Sequence, residues 1–156
     1  MAKNLCGLNM PRTNVNARPG DVMIRRWASG KDGAIDVTVT GPLAATNVAA
    51  AAVKAGAALE SACKRKLRET ANLCCQEGLV FLPFVMETLG GLHSGAVSQV
   101  RQISAALARS KGLPESEVTG QMFGRLSLTL MRGNALMLSS RCQEDSLVPS
   151  RVDGVL

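Results

Sequence analysis

The chain contains no tyrosine, three phenylalanines and one tryptophan, an aromatic content of 3%. So few flat side chains exclude a base-stacking platform of the single-strand-binding type, and direct any nucleic-acid contact to the backbone. A single histidine, His93, excludes a multi-histidine metal site. It follows Gly90-Gly91 near an expected helix start and reads as structural. Apart from His93, no histidine is there to pair with serine or cysteine, and the sequence gives no support for a hydrolase triad. Cysteine is present, at Cys6, Cys63, Cys74, Cys75 and Cys142, but no two are spaced C-x-x-C. An odd set without metal-ligand spacing reads as buried reduced thiols. No apolar run approaches the ~20 residues that cross a bilayer. Residues 1–7 lack the apolar core of a secretory signal. The expectation is an intracellular protein, nuclear or cytoplasmic, with no membrane partner. Gly90-Gly91 lacks the lysine and spacing of a phosphate-binding loop.

What is present is a globular composition. Of 156 residues, 46% are hydrophobic and 19% charged, enough for one domain with its own core. The seven methionines are scattered and read as core filler. The net charge of +6 is uneven: residues 1–78 carry eleven Lys/Arg against six Asp/Glu, and residues 79–156 carry seven against six. The excess includes Arg25-Arg26 and the run Lys64-Arg65-Lys66-Leu67-Arg68. A basic surface suits a polyanion, because phosphate contacts supply most non-specific affinity. The competing reading is a solvated helix face.

Within this basic half lie two aspartates, Asp21 in Arg18-Pro19-Gly20-Asp21-Val22 and Asp36 in Ile35-Asp36-Val37-Thr38-Val39, separated by fourteen residues. Each sits at or in a segment rich in strand formers. Between them, Arg25-Arg26-Trp27-Ala28-Ser29-Gly30-Lys31-Asp32-Gly33 reads as a strand end and a turn shaped by Gly30 and Gly33. Such a hairpin brings two carboxylates together, and carboxylates held close need a compensating cation or a raised pKa. Mg²⁺ (or Mn²⁺) suits the role, taking one or two protein carboxylates and filling its other positions with water and phosphate oxygens. The alternative is that Asp21 only starts a strand and Asp36 faces solvent.

The expected order is β-β-α-β-α-α, an α/β (α+β) fold. Strands are expected at about 21–27 and 33–40, the second rich in β-branched residues and ended by Gly41-Pro42. Residues 43–56 are alanine-rich and ambiguous. A helix follows at about 57–77, ended by Gly78, and then an apolar strand at about 79–86 in which Pro83 argues for an edge or a bulge. Ser94 caps a helix at about 95–111, which Gly112-Leu113-Pro114 stops. Glu115-Ser116-Glu117 opens a last helix to about 140, placing acids at its positive end. Residues 1–20 read as irregular, 21–142 as a single domain and 143–156 as a frayed tail, with no internal repeat.

Arg-Pro-x-Asp, then Asp-Val-Thr-Val, then a helix carrying Lys and Arg resembles the restriction-like endonuclease domain of site-specific non-LTR retrotransposons, of the PD-(D/E)xK nuclease type. The stretches Gly78-Leu79-Val80-Phe81-Leu82-Pro83 through Glu87-Thr88-Leu89-Gly90-Gly91, and Arg125-Leu126-Ser127 to Arg132-Gly133-Asn134-Ala135, are similar to C-terminal parts of reverse-transcriptase-like open reading frames. The likeness spans about residues 18–140. It implies a DNA endonuclease in which Asp21 and Asp36 hold Mg²⁺ or Mn²⁺. It also implies a catalytic lysine, usually two residues after the second acid. Thr38 occupies that place, so Lys66 or Lys64 on the following helix would substitute, Lys66 being favoured. Arg25, Arg26, Arg65 and Arg68 would contact DNA. Glu87 is a further acid near a strand end, with an ordinary turn carboxylate as the competing reading. The family core has a helix and a strand before its first motif that residues 1–20 do not readily supply. The expectation is therefore a truncated core from a larger element, with an exposed sheet edge open to self-association. A catalytically dead, basic nucleic-acid-binding or structural remnant is the alternative.

Overall fold

The computed structural model describes residues 20–145, with side chains described to residue 142. It is a mixed α/β fold, with the order β1 (Val22–Ala28), β2 (Lys31–Thr40), α1 (Val48–Val53), α2 (Ala57–Gln76), β3 (Val80–Glu87), α3 (Ser94–Lys111) and α4 (Glu115–Asp145). The expectations for residues 1–19 and 146–156 lie outside the described residues.

The three strands form one sheet in the order β1-β2-β3. β1 and β2 pair antiparallel through a two-residue turn, Ser29-Gly30, set between the Ala28–Lys31 pair. Both turn residues have positive φ, 50° and 75°, the backbone twist that matches two right-handed strands. β1 is also bulged between Ile24 and Ala28. Arg26 takes φ 52° there, and its N–H donates to Asp32 Oδ1 at 2.7 Å. Gly33 lies inside β2 rather than in the turn: an added Cβ would meet Leu82 Cδ1 at 2.7 Å and Trp27 Cβ at 2.9 Å. Its glycine lets Trp27 and Leu82 cross the strand closely.

β3 runs parallel to β2, which requires a crossover, and α1 and α2 supply it. β3 is an edge strand. Pro83, which has no N–H, is tolerated on it, and its carbonyl accepts from Gln99 Nε2 at 3.1 Å. The alternation of β2 and β3 splits the core between the two faces of the sheet. On one face Ile35, Phe84 and Met86 pack with Ala96 and Val100 of α3, and with Met122, Phe123, Leu126 and Leu130 of α4. On the other, Val85 packs with Leu59, Ala62 and Cys63 of α2. Asn134 Nδ2 ties α4 to the Thr88 carbonyl just beyond β3, at 2.7 Å.

Three expectations change. The alanine-rich stretch holds a short helix, α1, because alanine favours helix once Asn47 bonds Thr40 Oγ1 and the Gly41 carbonyl and fixes its entry. His93, not Ser94, caps α3: its Nδ1 accepts from the Gly95 N–H at 3.1 Å. α4 continues through residues 143–145, expected in the tail, since no glycine or proline interrupts the chain there. No helix among the described residues is long and apolar enough to cross a membrane.

Candidate functional site

The site begins with strand parity. Val85, which faces α2, pairs with Thr38, so Ala34, Asp36 and Thr38 of β2 point to the α2 side. Asp36 therefore leaves the sheet towards a helix, not towards solvent. On α2 the buried residues Leu59, Ala62, Cys63 and Cys74 define one face, and Lys66 stands seven residues after Leu59 and eight before Cys74, on that same face. A lysine at the centre of an apolar stripe must find an anion or snorkel outward. Lys66 Nζ lies 2.8 Å from Asp36 Oδ2, with the two side chains 24% and 17% exposed.

Asp36 Oδ2 is buried and has no aligned hydrogen-bond partner among the described residues. Taken with the 2.8 Å separation, the ammonium neutralises this oxygen as a charge without lying along a hydrogen-bond direction. Thr38 Oγ1, two residues on and on the same face, is also buried without a hydrogen-bond partner among the described residues.

Asp21, the residue before β1, is anchored beside β2 by its backbone and its carboxylate. Its N–H donates to the Ile35 carbonyl at 2.7 Å, one step out of register with the Val22–Ile35 pairing. Gly20 makes this approach possible, for a Cβ there would stand 2.6 Å from the Ile35 carbonyl oxygen. Asp21 Oδ2 accepts from the Val37 N–H at 2.8 Å. Strand N–H groups lie in the plane of the sheet, so this carboxylate sits at the edge of β2, one peptide from Asp36. The Val37 carbonyl points to the same edge as its N–H.

No group of three or more His, Cys, Asp or Glu side chains that could hold a metal occurs among the described residues. Asp21 and Asp36 are the carboxylates that could hold a divalent cation here, an oxygen donor set of the kind Mg²⁺ accepts together with water. The buried Oδ2 that lacks an aligned donor fits such an ion.

The other candidates are dispersed. Lys64 lies on the outer side of α2 with its side chain 74% exposed, and pairs with Glu60 at 3.4 Å. Arg65 and Arg68 are exposed on the helix that buries Lys66, away from its apolar stripe. Arg25 and Arg26 are exposed at the bulge, towards the hairpin tip. The basic residues thus occupy two surfaces and do not ring the carboxylates. Glu87 stands at the β3 end, where its N–H donates to the Gly91 carbonyl and closes the turn into α3.

Two further residues of α2 bear on its surroundings: Cys74, expected as a buried reduced thiol, and Glu60, which the sequence alone did not single out. Cys74 is fully buried on α2, and burial first, then the charge of Asp36, pushes its thiol above the ordinary range. Glu60 Oε2 meets His93 Nε2 at 3.3 Å. Because Nδ1 accepts from Gly95, Nε2 is the protonated nitrogen and donates to Glu60, linking α2 to the start of α3. Bonds from His93 and then Lys64 hold the Glu60 carboxyl below its usual range. A lysine inside the α2 apolar stripe was the sequence signal that separates Lys66 from Lys64.

No family model matches the chain, nor does any curated protein or solved structure.

Proposed function

We propose that this chain is a metal-dependent DNA endonuclease domain of retroelement origin, built on a restriction-endonuclease-like core. The observation that carries the reading is the contact of Lys66 with Asp36 across the α2–β2 interface, 2.8 Å long. A lysine on the helix reaches the second acid, although Thr38 stands where the strand lysine of the resembling family would be. Mg²⁺ or Mn²⁺, when bound, would acidify a water and neutralise charge on the scissile phosphate.

The residues of the chain divide the remaining tasks. Asp21, just before β1, and Asp36, on β2, would hold the cation. Lys66 supplies a positive charge on the same side as Asp36, where it can stabilise the oxyanion that develops on phosphorus or orient the attacking water. Asp36 and Lys66 sit on regular elements and Asp21 immediately before one, which limits reorganisation during reaction. Arg25, Arg26, Arg65 and Arg68 offer charge to the DNA backbone on surfaces beside the hairpin tip and on the outside of α2.

A second reading, a nucleic-acid-binding or structural remnant without catalysis, draws on one observation: an Asp21 oxygen is already engaged by the Val37 N–H. Nicking of supercoiled DNA with Mg²⁺ or Mn²⁺ separates the two. The nuclease reading expects metal-dependent nicking that Asp36→Asn abolishes in a protein shown to be folded. Absence of nicking, or nicking that survives Asp36→Asn, supports the remnant. Salt-sensitive DNA binding that outlasts Asp36→Asn then tells a binding remnant from a structural one.

A further inference from the structure

We propose that Lys66 and a divalent cation compete for Asp36, so that Lys66 neutralises this carboxylate until metal arrives and is displaced when it does. The competition presupposes the nuclease reading of the site.

Four observations lead there. Lys66 comes from the middle of the apolar stripe of α2, and its contact with Asp36 is short. The contact is nonetheless unaligned, since Asp36 Oδ2 has no hydrogen-bond partner among the described residues. Such an oxygen is held by charge alone and keeps a lone-pair direction unused. Mg²⁺ demands near-ideal octahedral directions at ~2.0–2.1 Å, so it makes use of that direction and the ammonium does not. Asp21 engages the Val37 N–H, one peptide from Asp36, with one oxygen and has a second to offer an ion. A dication beside an ammonium on one carboxylate adds like-charge repulsion in a partly dry place. Finally, Thr38 Oγ1 lies on the same face of β2, buried and without a hydrogen-bond partner among the described residues. A hydroxyl of this kind can accept a hydrogen bond from an ammonium.

Linkage makes the competition reciprocal. If metal weakens the hold of Lys66 on Asp36, then removing the ammonium must strengthen the hold of Asp36 on metal. A lysine that catalyses would, on this account, lower metal affinity. If Lys66 served only to orient a ligated Asp36, its removal would leave affinity unchanged or reduce it.

The test is calorimetric titration of Mn²⁺ into wild type, Lys66→Met and Asp36→Asn, with thermal denaturation of each in EDTA and in Mn²⁺. The expected result is binding by wild type and binding tightened at least ~5-fold in Lys66→Met, within the usual range of coupling between sites. Asp36→Asn should bind with much-reduced affinity. Lys66→Met should melt below wild type in EDTA and gain more than wild type from Mn²⁺, as tighter binding to the folded state requires. If Lys66→Met does not fold, Lys66→Gln removes the same charge while retaining a donor for Asp36. Equal or weaker affinity in the neutral variant overturns the competition and leaves the nuclease reading standing, because wild type still binds through Asp36. No Mn²⁺ binding by wild type, or binding that Asp36→Asn leaves intact, overturns both.

Discussion

A double-mutant cycle on Lys66 and Asp36 tests the central contact through stability alone. Breaking one side of a fully buried ion pair destabilises by ~3–5 kcal/mol, whereas exposed pairs contribute ~0–1 kcal/mol. With a quarter of Lys66 and a sixth of Asp36 still accessible, the contact belongs between these limits and nearer the upper one. The two single variants should nevertheless differ. Lys66→Met strands a short carboxylate on a rigid strand beneath α2, and a loss of about 2–3 kcal/mol is expected. Asp36→Val strands an ammonium on a long stem that can turn outward through the accessible side, so a loss of about 1–2 kcal/mol is expected. The double variant replaces a pair by apolar groups on an apolar helix face and should return to within about 1 kcal/mol of wild type. The coupling is then at least ~2 kcal/mol. Urea unfolding at neutral pH in EDTA, read by circular dichroism, supplies all four values. Additive single losses, or an Asp36→Val loss larger than that of Lys66→Met, would refute the reasoning.

Other expectations follow from single features. Gly33→Ala places a Cβ 2.7 Å from Leu82 and 2.9 Å from Trp27. A loss of about 1–3 kcal/mol in the same assay is expected, along with a change in Trp27 fluorescence. Asp21→Ala removes an acceptor of the Val37 N–H; a loss of about 1–2 kcal/mol is expected, and amide exchange at Val37 should accelerate. The Glu60 carboxyl is held low by His93 and Lys64. Its contribution is therefore present above the unfolded-state pKa and is lost as pH falls through the lowered folded value. Glu60→Gln should flatten the acid limb of the stability profile below about pH 4.5 and leave neutral pH little changed. In a Cys6→Ser background, a thiol reagent should modify exposed Cys75 and Cys142 quickly and buried Cys63 and Cys74 only on unfolding.

Much of the framework was legible because local signals agreed. β-Branched alternation marks β2, and the period of α2 is clear from Leu59 to Cys74. Pro83 on an apolar run points to an edge strand, which β3 is. The starts of α3 and α4 fall within a residue of their expected positions for the same reason. Other features depend on partners distant in sequence. The cap by His93 could not be distinguished from one by Ser94 without the Gly95 N–H direction. Gly33 looked like a turn glycine until Trp27 and Leu82 were seen against it. At the site, the spacing of two aspartates suggests a hairpin but not that Asp21 works at the strand edge while Asp36 points into the α2 interface. The choice between Lys66 and Lys64 lay in the helix period, which Lys66 shares with the buried residues and Lys64 does not.

The packing of α2 has a consequence for the order of events during synthesis. α2 rests chiefly on β3, through Leu59, Ala62, Cys63 and Val85, and touches β2 much less. Asp21, Asp36 and Lys66 all precede β3 in the chain, so a nascent chain that ends before Val80 holds every member of the trio yet lacks the strand that seats the helix. Hairpin and helix contacts are local and quick to form, whereas the parallel β2–β3 pairing must wait for the crossover to close. Lys66 and Asp36 therefore come together late, after the last strand of the sheet has emerged. A polypeptide cut short in that interval would carry both residues without the contact between them.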